Sequence, residues 1–186
     1  MLALLDYLDT GLNIDRKRVY ASGFSAGGWF CHYLAGRTEG VWAAIAPVSG
    51  LIGLGRVPGE PIEYVPPPAE PLPVMIVNGL KDTSVPYFGG TTASCAPVSS
   101  VAEAVKQWIT ANYCASLPVT TTNGVAPSRV ITDIYGNCDP GTEVILHTVE
   151  NGPHLWYDAN DVFNGAPVGF DANKMVIDFL KQHARP

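Results

Sequence analysis

The sequence predicts a single α/β domain, residues 1–186, with a mainly parallel sheet, and three observations support this. Short apolar segments with strand character alternate along the chain with stretches that have helical spacing. The run Pro73–Val77 is continuously apolar, which is typical of a strand buried on both faces of a parallel sheet. A chain of 186 residues with 47% hydrophobic content is sized for one buried core.

Four segments have the periodicity of helices. Near the N-terminus, leucines at positions 2, 4, 5, 8 and 12 share one helical face. A second helix is predicted over Trp29–Ala35, ended by Gly36. In the third, Ser99–Tyr113, Ser100 is the expected N-cap and Glu103 completes a capping box. The last helix covers Phe170–His183.

Five segments are predicted to be strands, namely Arg18–Ser22, Ala43–Val48, Pro73–Val77, Arg129–Tyr135 and Glu143–Val149. The last two alternate apolar and polar residues and are joined by a turn over residues 136–141. Residues 50–73 are rich in Gly and Pro, and we interpret them as an irregular loop with extended segments. They are not a linker, because each flanking half would be too small to bury its own core.

Charge and composition exclude several classes of partner. The formal net charge is -6, and the longest basic run is Arg16–Arg18, so nucleic acid is not an expected partner. Apolar runs are too short to cross a membrane. The cysteines lack C-x-x-C spacing and the chain has no H-E-x-x-H motif, which disfavours zinc. No cofactor is expected, and four cysteines leave three fully paired disulfide connectivities open.

The segment Gly23–Gly27, reading GFSAG, is a G-x-S-x-G motif directly after a predicted strand and before a predicted helix. This order is typical of a nucleophile elbow, in which a serine is lifted on a sharp turn between strand and helix. Gly23 and Gly27 would let the two elements approach each other. We therefore predict that Ser25 is a catalytic nucleophile. A structural serine in a glycine turn is the alternative.

A serine nucleophile requires a histidine base, and four histidines are present. His154 is the best candidate because it follows the last predicted strand, at the sheet edge where ligand sites of α/β proteins gather. His32 lies two turns past Ser25 on the same helix, His147 lies inside a strand, and His183 is predicted in an exposed C-terminal turn.

Asp82 is the candidate for the acid that orients the histidine. It follows the buried strand Pro73–Val77 at the same edge of the sheet, although a solvated turn aspartate would occupy a similar position. The order Ser25, Asp82, His154 is the order found in α/β-hydrolases. Weaker candidates for the acid are Asp133, Asp139, Asp158 and Asp161.

Several segments resemble the feruloyl esterases and polyhydroxybutyrate-depolymerase-like carbohydrate esterases. They read GFSAGG, AAIAPVSG, NGLKDTSVPYFGG and VENGPHLWY, with a Trp-bearing helix that ends in Cys. The resemblance implies a three-layer α/β-hydrolase fold, with Asp82 as acid and His154 as base. The sequence departs from the family pattern at Pro153, where the family has Gly, and at Tyr157, where it has Pro.

The resemblance also implies a function. The expected activity is that of a serine carboxylic-ester hydrolase, acting through an acyl-enzyme on feruloyl or acetyl esters of plant polysaccharide. The alternatives are a polyester depolymerase and a non-catalytic carbohydrate-binding fragment. Ala26 N–H would stabilise the oxyanion. Three aromatic residues near the expected mouth are candidates for substrate binding, Phe24, Tyr87 and Trp156.

Family members pair cysteines that correspond to Cys114 and Cys138, which implies a disulfide and a secreted protein, and leaves Cys31 and Cys95 paired or free. The resemblance further implies that this chain is the C-terminal part of such an enzyme, without the loop that gives a second oxyanion donor. The strand Arg18–Ser22 would then be an edge. We expect either self-association through this strand or its burial against another chain, and we expect weak activity.

Overall fold

A computed structural model describes residues 2–92 and 94–186. The helices are α1 (Leu2–Asp9), α2 (Ala26–Arg37), α3 (Val101–Ala111) and α4 (Ala172–Lys181). The longer strands are β1 (Tyr20–Phe24), β2 (Ala44–Val48), β5 (Val74–Gly79), β8 (Val119–Asn123), β9 (Val130–Tyr135) and β10 (Val144–Val149). The two-residue strands are β3 (Gly53–Leu54), β4 (Glu63–Tyr64), β6 (Gly90–Thr91), β7 (Pro97–Val98), β11 (Val162–Phe163) and β12 (Ala166–Pro167).

The longer strands form one six-stranded sheet in the order β1-β2-β5-β10-β9-β8. The first four strands are parallel, and β9 and β8 extend the sheet in antiparallel pairing. The central strands β2 and β5 are buried along their whole length. The carboxyl ends of β1, β2, β5 and β10 therefore meet at one edge of the sheet, where α/β proteins place their sites.

Helices cover both faces of this sheet. Buried residues of α2 and α3 pack with Ile45, Ile76 and Leu146 in one apolar cluster. Buried residues of α4 pack with Ala46 and Val77 in a second cluster. The predicted α/β class with a mainly parallel sheet is confirmed.

The predicted capping box of α3 is present. The Ser100 hydroxyl accepts a hydrogen bond from Glu103 N–H, and the Glu103 carboxylate accepts one from Ser100 N–H. By contrast, α1 forms but presents much of its leucine face to solvent. Leu4 is 52% exposed, and Leu12 lies beyond the helix end and is 59% exposed.

The structure corrects two details of the sequence interpretation, and it bears out the extended segments predicted within residues 50–73. Helix α2 continues through Gly36 to Arg37, and the backbone at Gly36 instead packs so closely on Pro66 that a Cβ would lie 2.2 Å from the Pro66 carbonyl oxygen. Strand β8 was not predicted, because all five of its residues are exposed and four are polar. Within residues 50–73, β3 and β4 join a four-stranded sheet in the order β4-β3-β7-β6.

Cys114 and Cys138 form the expected disulfide, with Cα atoms 3.8 Å apart. It joins the chain just after α3 to the loop between β9 and β10. Cys31 is a buried free thiol and Cys95 is an exposed one. Burial raises the pKa of the Cys31 thiol to about 12, so this cysteine stays protonated and unreactive.

Across the described residues, none of the helices is long and apolar enough to span a membrane.

Candidate active site

Ser25 lies on the turn between β1 and α2 with φ 56° and ψ -117°, a backbone conformation that few side chains adopt. Its N–H donates to Val48 O of the neighbouring strand at 2.9 Å, and its carbonyl accepts from Trp29 N–H in the first turn of α2. The strained serine is therefore fixed by both the sheet and the helix.

Close packing around this turn depends on particular glycines. A Cβ on Gly23 would lie 2.6 Å from the Gly27 backbone, and a Cβ on Gly28 would lie 2.9 Å from Val48 O. Apart from its chain neighbours and the backbone of α2, no described atom lies within 4 Å of a Cβ placed on Gly27. Close packing around this turn therefore requires glycine at positions 23 and 28. The prediction that Gly27 is also needed for the approach of strand and helix is wrong.

Asp82 lies in the turn that follows β5, and its side chain is fully buried. One carboxylate oxygen accepts hydrogen bonds from the N–H groups of Ser84 at 2.9 Å and Val85 at 2.7 Å. The other oxygen lies 2.7 Å from His154 Nδ1. The turn thus fixes the carboxylate before any substrate binds.

His154 lies in the loop that follows β10, with a side chain that is 20% exposed. Its Nε2 atom is 2.9 Å from Ser25 Oγ. The Phe24 ring packs against the imidazole with centroids 4.7 Å apart. With Nδ1–H donating to Asp82, the lone pair of Nε2 faces the Ser25 hydroxyl, which is the arrangement of a general base.

The other three histidines lie away from Ser25. His32 is buried and its Nδ1 accepts from Trp108 Nε1–H at 3.0 Å. His147 is buried beside the Thr132 hydroxyl. Burial lowers the pKa of each imidazole to about 4, so both are neutral near pH 7. His183 is half-buried against Phe179, and not in an exposed turn as the sequence suggested.

The weaker aspartate candidates have other partners or positions. Asp133 accepts from the Thr120 hydroxyl on the neighbouring strand. Asp158 and Asp161 accept hydrogen bonds within their own loop. Asp139 lies in the turn that precedes β10 and is exposed. Among the described carboxylates, Asp82 is the one that contacts His154.

Ala26 is the first residue of α2, directly after Ser25. N–H groups in the first turn of a helix have no acceptor within the helix, and the helix dipole adds partial positive charge there. Ala26 N–H is therefore available to a negative oxygen formed next to Ser25.

A cavity of about 310 Å³ opens beside Ser25, Ala26 and His154. Its other lining residues come from α2, from the segment after β2, from the Asp82 turn and from the small four-stranded sheet: Trp29, Ser49, Gly50, Leu51, Gly53, Leu54, Ser84, Val85, Thr92, Ser94 and Val98. Most of these side chains are apolar or small. The cavity can take an acyl group whose carbonyl carbon reaches Ser25.

The three aromatic candidates for substrate binding have different surroundings. Phe24 contacts His154, as described above. The Tyr87 hydroxyl is hydrogen-bonded to Thr148 Oγ1 at 2.8 Å, and Trp156 Nε1–H donates to Asn173 Oδ1 at 2.9 Å. None of the three is among the described residues that line the cavity, so the prediction that they bind substrate gains no support from its lining.

Sequence reasoning missed Trp29 and Ser49 of the cavity wall. Trp29 lies one helical turn after Ser25, a spacing that could have placed it on the same side of α2. Ser49 directly follows the buried strand β2 at the same sheet edge, and its φ of 49° is in the left-handed region.

No cluster of three or more metal-ligating side chains occurs among the residues that the structure describes.

Comparison with known proteins identifies relatives. The chain is 30% identical over 177 residues to feruloyl esterase B of Piromyces equi and 28% identical over 199 residues to esterase NocK of Nocardia uniformis subsp. tsuyamanensis. These matches cover 93% and 96% of this chain. It is also 28% identical over 143 residues, 76% of this chain, to the bifunctional acetylxylan esterase/xylanase XynS20E of Neocallimastix patriciarum. No protein-family model matches the chain.

Among solved structures, esterase PE8 matches with a TM-score of 0.54 and 17% identity, over 97% of this chain and 57% of that one. This likeness shows the fold. The chain spans 29%, 55% and 18% of the lengths of the three sequence relatives, in the order given above. The sequence matches relate this chain to proteins named as esterases, among them a feruloyl esterase and an acetylxylan esterase.

Proposed function

We propose that this chain is a serine carboxylic-ester hydrolase with the three-layer α/β-hydrolase architecture. The observation that carries the proposal is the continuous hydrogen-bonded series from Asp82 through His154 to Ser25, with contacts of 2.7 and 2.9 Å. These three residues follow three different parallel strands, and their geometry is that of an activated nucleophile.

The geometry supports the following mechanism. His154 Nε2 takes the Ser25 proton as Ser25 Oγ attacks the ester carbonyl, and Asp82 stabilises the imidazolium that forms. Ala26 N–H donates to the negative oxygen of the tetrahedral intermediate. His154 then protonates the leaving alcohol. In the second half-reaction His154 takes a proton from water as the water oxygen attacks the acyl carbon. It returns this proton to Ser25 Oγ as the bond between Oγ and the acyl group breaks and the acid is released.

Substrate class is proposed from the relatives and the cavity together. The named relatives include a feruloyl esterase and an acetylxylan esterase. The cavity wall of Leu51, Leu54, Val85 and Trp29 is apolar and large enough for an aryl acyl group. We therefore propose feruloyl or acetyl esters of plant polysaccharide as substrates, and the disulfide favours an extracellular location.

Ester turnover by the purified chain tests the proposal. Wild-type protein should hydrolyse p-nitrophenyl acetate, and Ser25→Ala should lower kcat by at least roughly a thousandfold. Ser116→Ala, at an exposed position, is the matched control and should keep wild-type rates. Wild-type protein that is folded but shows no turnover above the Ser25→Ala background would contradict the proposal.

The substrate class has its own test. Rates on methyl ferulate, acetylated xylan and a short-chain polyester should be measured under one set of conditions. A higher kcat/KM on methyl ferulate or acetylated xylan than on the polyester is the expected result. The reverse order would show that the apolar cavity serves a polyester depolymerase.

A further inference from the structure

Tyr157 lies three residues after His154 and is fully buried. Its hydroxyl donates a hydrogen bond to Pro153 O at 2.9 Å. The same carbonyl accepts from Leu155 N–H at 2.9 Å. Two donors thus fix the peptide group that links Pro153 to His154, and with it the direction in which the His154 side chain leaves the backbone.

The Tyr157 hydroxyl also lies between two strand ends. A Cβ on Gly79, the last residue of β5, would lie 2.5 Å from this hydroxyl, and a Cβ on Gly152 would lie 2.9 Å from it. Gly152 belongs to the loop that carries His154, and Gly79 precedes the turn that carries Asp82. Both positions must be free of side chains for the phenol to fit.

The two loops are bonded to each other at this point. Lys81 N–H, next to Asp82, donates to Gly152 O at 2.9 Å. Asp82 N–H donates to Gly79 O, which closes the acid turn. The Tyr157 hydroxyl therefore contacts the backbone of the acid loop and the backbone of the base loop at their junction.

Tyr157 is itself held in place. Its carbonyl accepts from Ala172 N–H at the start of α4, and its ring packs edge-on against Phe170. Burial, and to a lesser degree the charge of Asp82, raises the pKa of the Tyr157 hydroxyl, so it keeps the proton that it donates to Pro153.

From this geometry we infer that Tyr157 is a positioning residue, whose hydroxyl sets the distance and orientation between Asp82 and His154. The inference rests on the proposed esterase function, since it concerns the same acid and base. Tyr157 touches no reacting atom. It acts through Pro153 O and through the packing of Gly79 against Gly152.

The test is Tyr157→Phe, which removes the hydroxyl and keeps the ring. Turnover of p-nitrophenyl acetate should fall about tenfold in kcat with KM within about twofold, because binding in the cavity is unaffected and the base is less well oriented. Inactivation of Ser25 by a fluorophosphonate should slow by a similar factor. Tyr157→Met, which fills the site without a donor, should behave in the same way.

Tyr20→Phe is the matched control, because the Tyr20 hydroxyl also donates to a backbone carbonyl, that of His183, at 2.7 Å and away from Ser25. It should reduce thermal stability about as much as Tyr157→Phe while kcat stays unchanged. Equal kcat and equal fluorophosphonate rates in wild-type and Tyr157→Phe protein would overturn the inference. If wild-type protein shows neither turnover nor labelling of Ser25, the proposed esterase function itself is wrong.

Discussion

Ser25 keeps a strained backbone conformation because neighbouring backbones leave no room for an alternative. Gly23 faces the Gly27 backbone and Gly28 faces Val48 O, each at a distance that excludes a Cβ. Such strain persists where the surrounding structure over-determines it. The serine is thus presented to the cavity by packing of main chain on main chain.

This packing predicts that two glycines four positions apart respond oppositely to alanine. Gly23→Ala should destabilise the protein by roughly 2 kcal/mol or more and abolish ester turnover, because its Cβ would overlap the Gly27 backbone. Gly27→Ala should fold and gain roughly 0.5–1 kcal/mol in unfolding free energy, because alanine favours the helix. Urea unfolding of the two variants checks this. If both variants lose the same unfolding free energy, the conclusion that close packing requires glycine at position 23 but not at position 27 is wrong.

Asp82 allows a second prediction, which concerns the histidine tautomer. In Asp82→Asn the amide oxygen should still accept the hydrogen bonds from Ser84 N–H and Val85 N–H. The NH₂ group then faces His154 Nδ1. His154 would then carry its proton on Nε2 and could not act as a base. We expect kcat to fall by roughly a thousandfold or more with folding intact. Asp178→Asn on the exposed side of α4 is the control, and a loss of less than about tenfold in Asp82→Asn would contradict the role of Asp82.

At the scale of elements, helix α3 has a charged cap. Glu103 accepts from Ser100 N–H and from the Tyr64 hydroxyl, and these hydrogen bonds lower its pKa from 4.5. A carboxylate with a lowered pKa in the folded protein stabilises it above the ordinary pKa, and the effect is lost as the pH falls. The cap also ties α3 to β4, because Tyr64 belongs to that strand.

Glu103→Ala should therefore reduce stability in a pH-dependent way. At pH 7 we expect a loss of about 1 kcal/mol or less in unfolding free energy, as for other exposed caps. The difference from wild type should shrink as the pH falls from about 5 toward 3. Urea midpoints across this range measure it, with the exposed Glu60→Ala as control. A difference that grows toward low pH would contradict the assignment.

The disulfide between Cys114 and Cys138 gives a second prediction at this scale. It closes a segment with a sequence separation of 24, which contains β8 and β9. In the chain-entropy model such a cross-link stabilises a protein by about 3 kcal/mol. A double Ala variant should lose about that much in urea unfolding and keep its kcat. A kcat loss in folded variant protein would show that the disulfide also shapes the cavity.

At the scale of the whole molecule, β1 lies at one edge of the six-stranded sheet. An edge strand offers unpaired N–H and C=O groups to other strands, and Ser22 on β1 is exposed and uncharged. We propose that the chain self-associates through this edge. Light scattering over a range of concentrations should show growth in apparent mass, and Ser22→Lys should reduce it. A concentration-independent monomer would refute the proposal.

Periodicity was enough to predict the four helices and the five strands that have strong apolar patterns. It failed for β8, whose exposed residues Val119–Asn123 carry no buried face and pair through the backbone of β9. Chain order and strand ends were enough to bring Ser25, Asp82 and His154 to one sheet edge. The part of the cavity wall built by Leu54 and Val98 could not be predicted, because it depends on how segments far apart in the chain pair into the small four-stranded sheet.

Ser25 and His154 lie 129 positions apart in the chain, and Asp82 and His154 lie 72 positions apart. These separations affect how the protein gains activity during folding. Contacts between such distant segments form late, because bringing them together costs conformational entropy of the intervening chain. A refolding intermediate with native helices but an incomplete sheet would therefore be inactive. Ester turnover recovered after dilution from urea would therefore measure the fraction of molecules in which the strands from β1 to β10 are paired as in the native sheet.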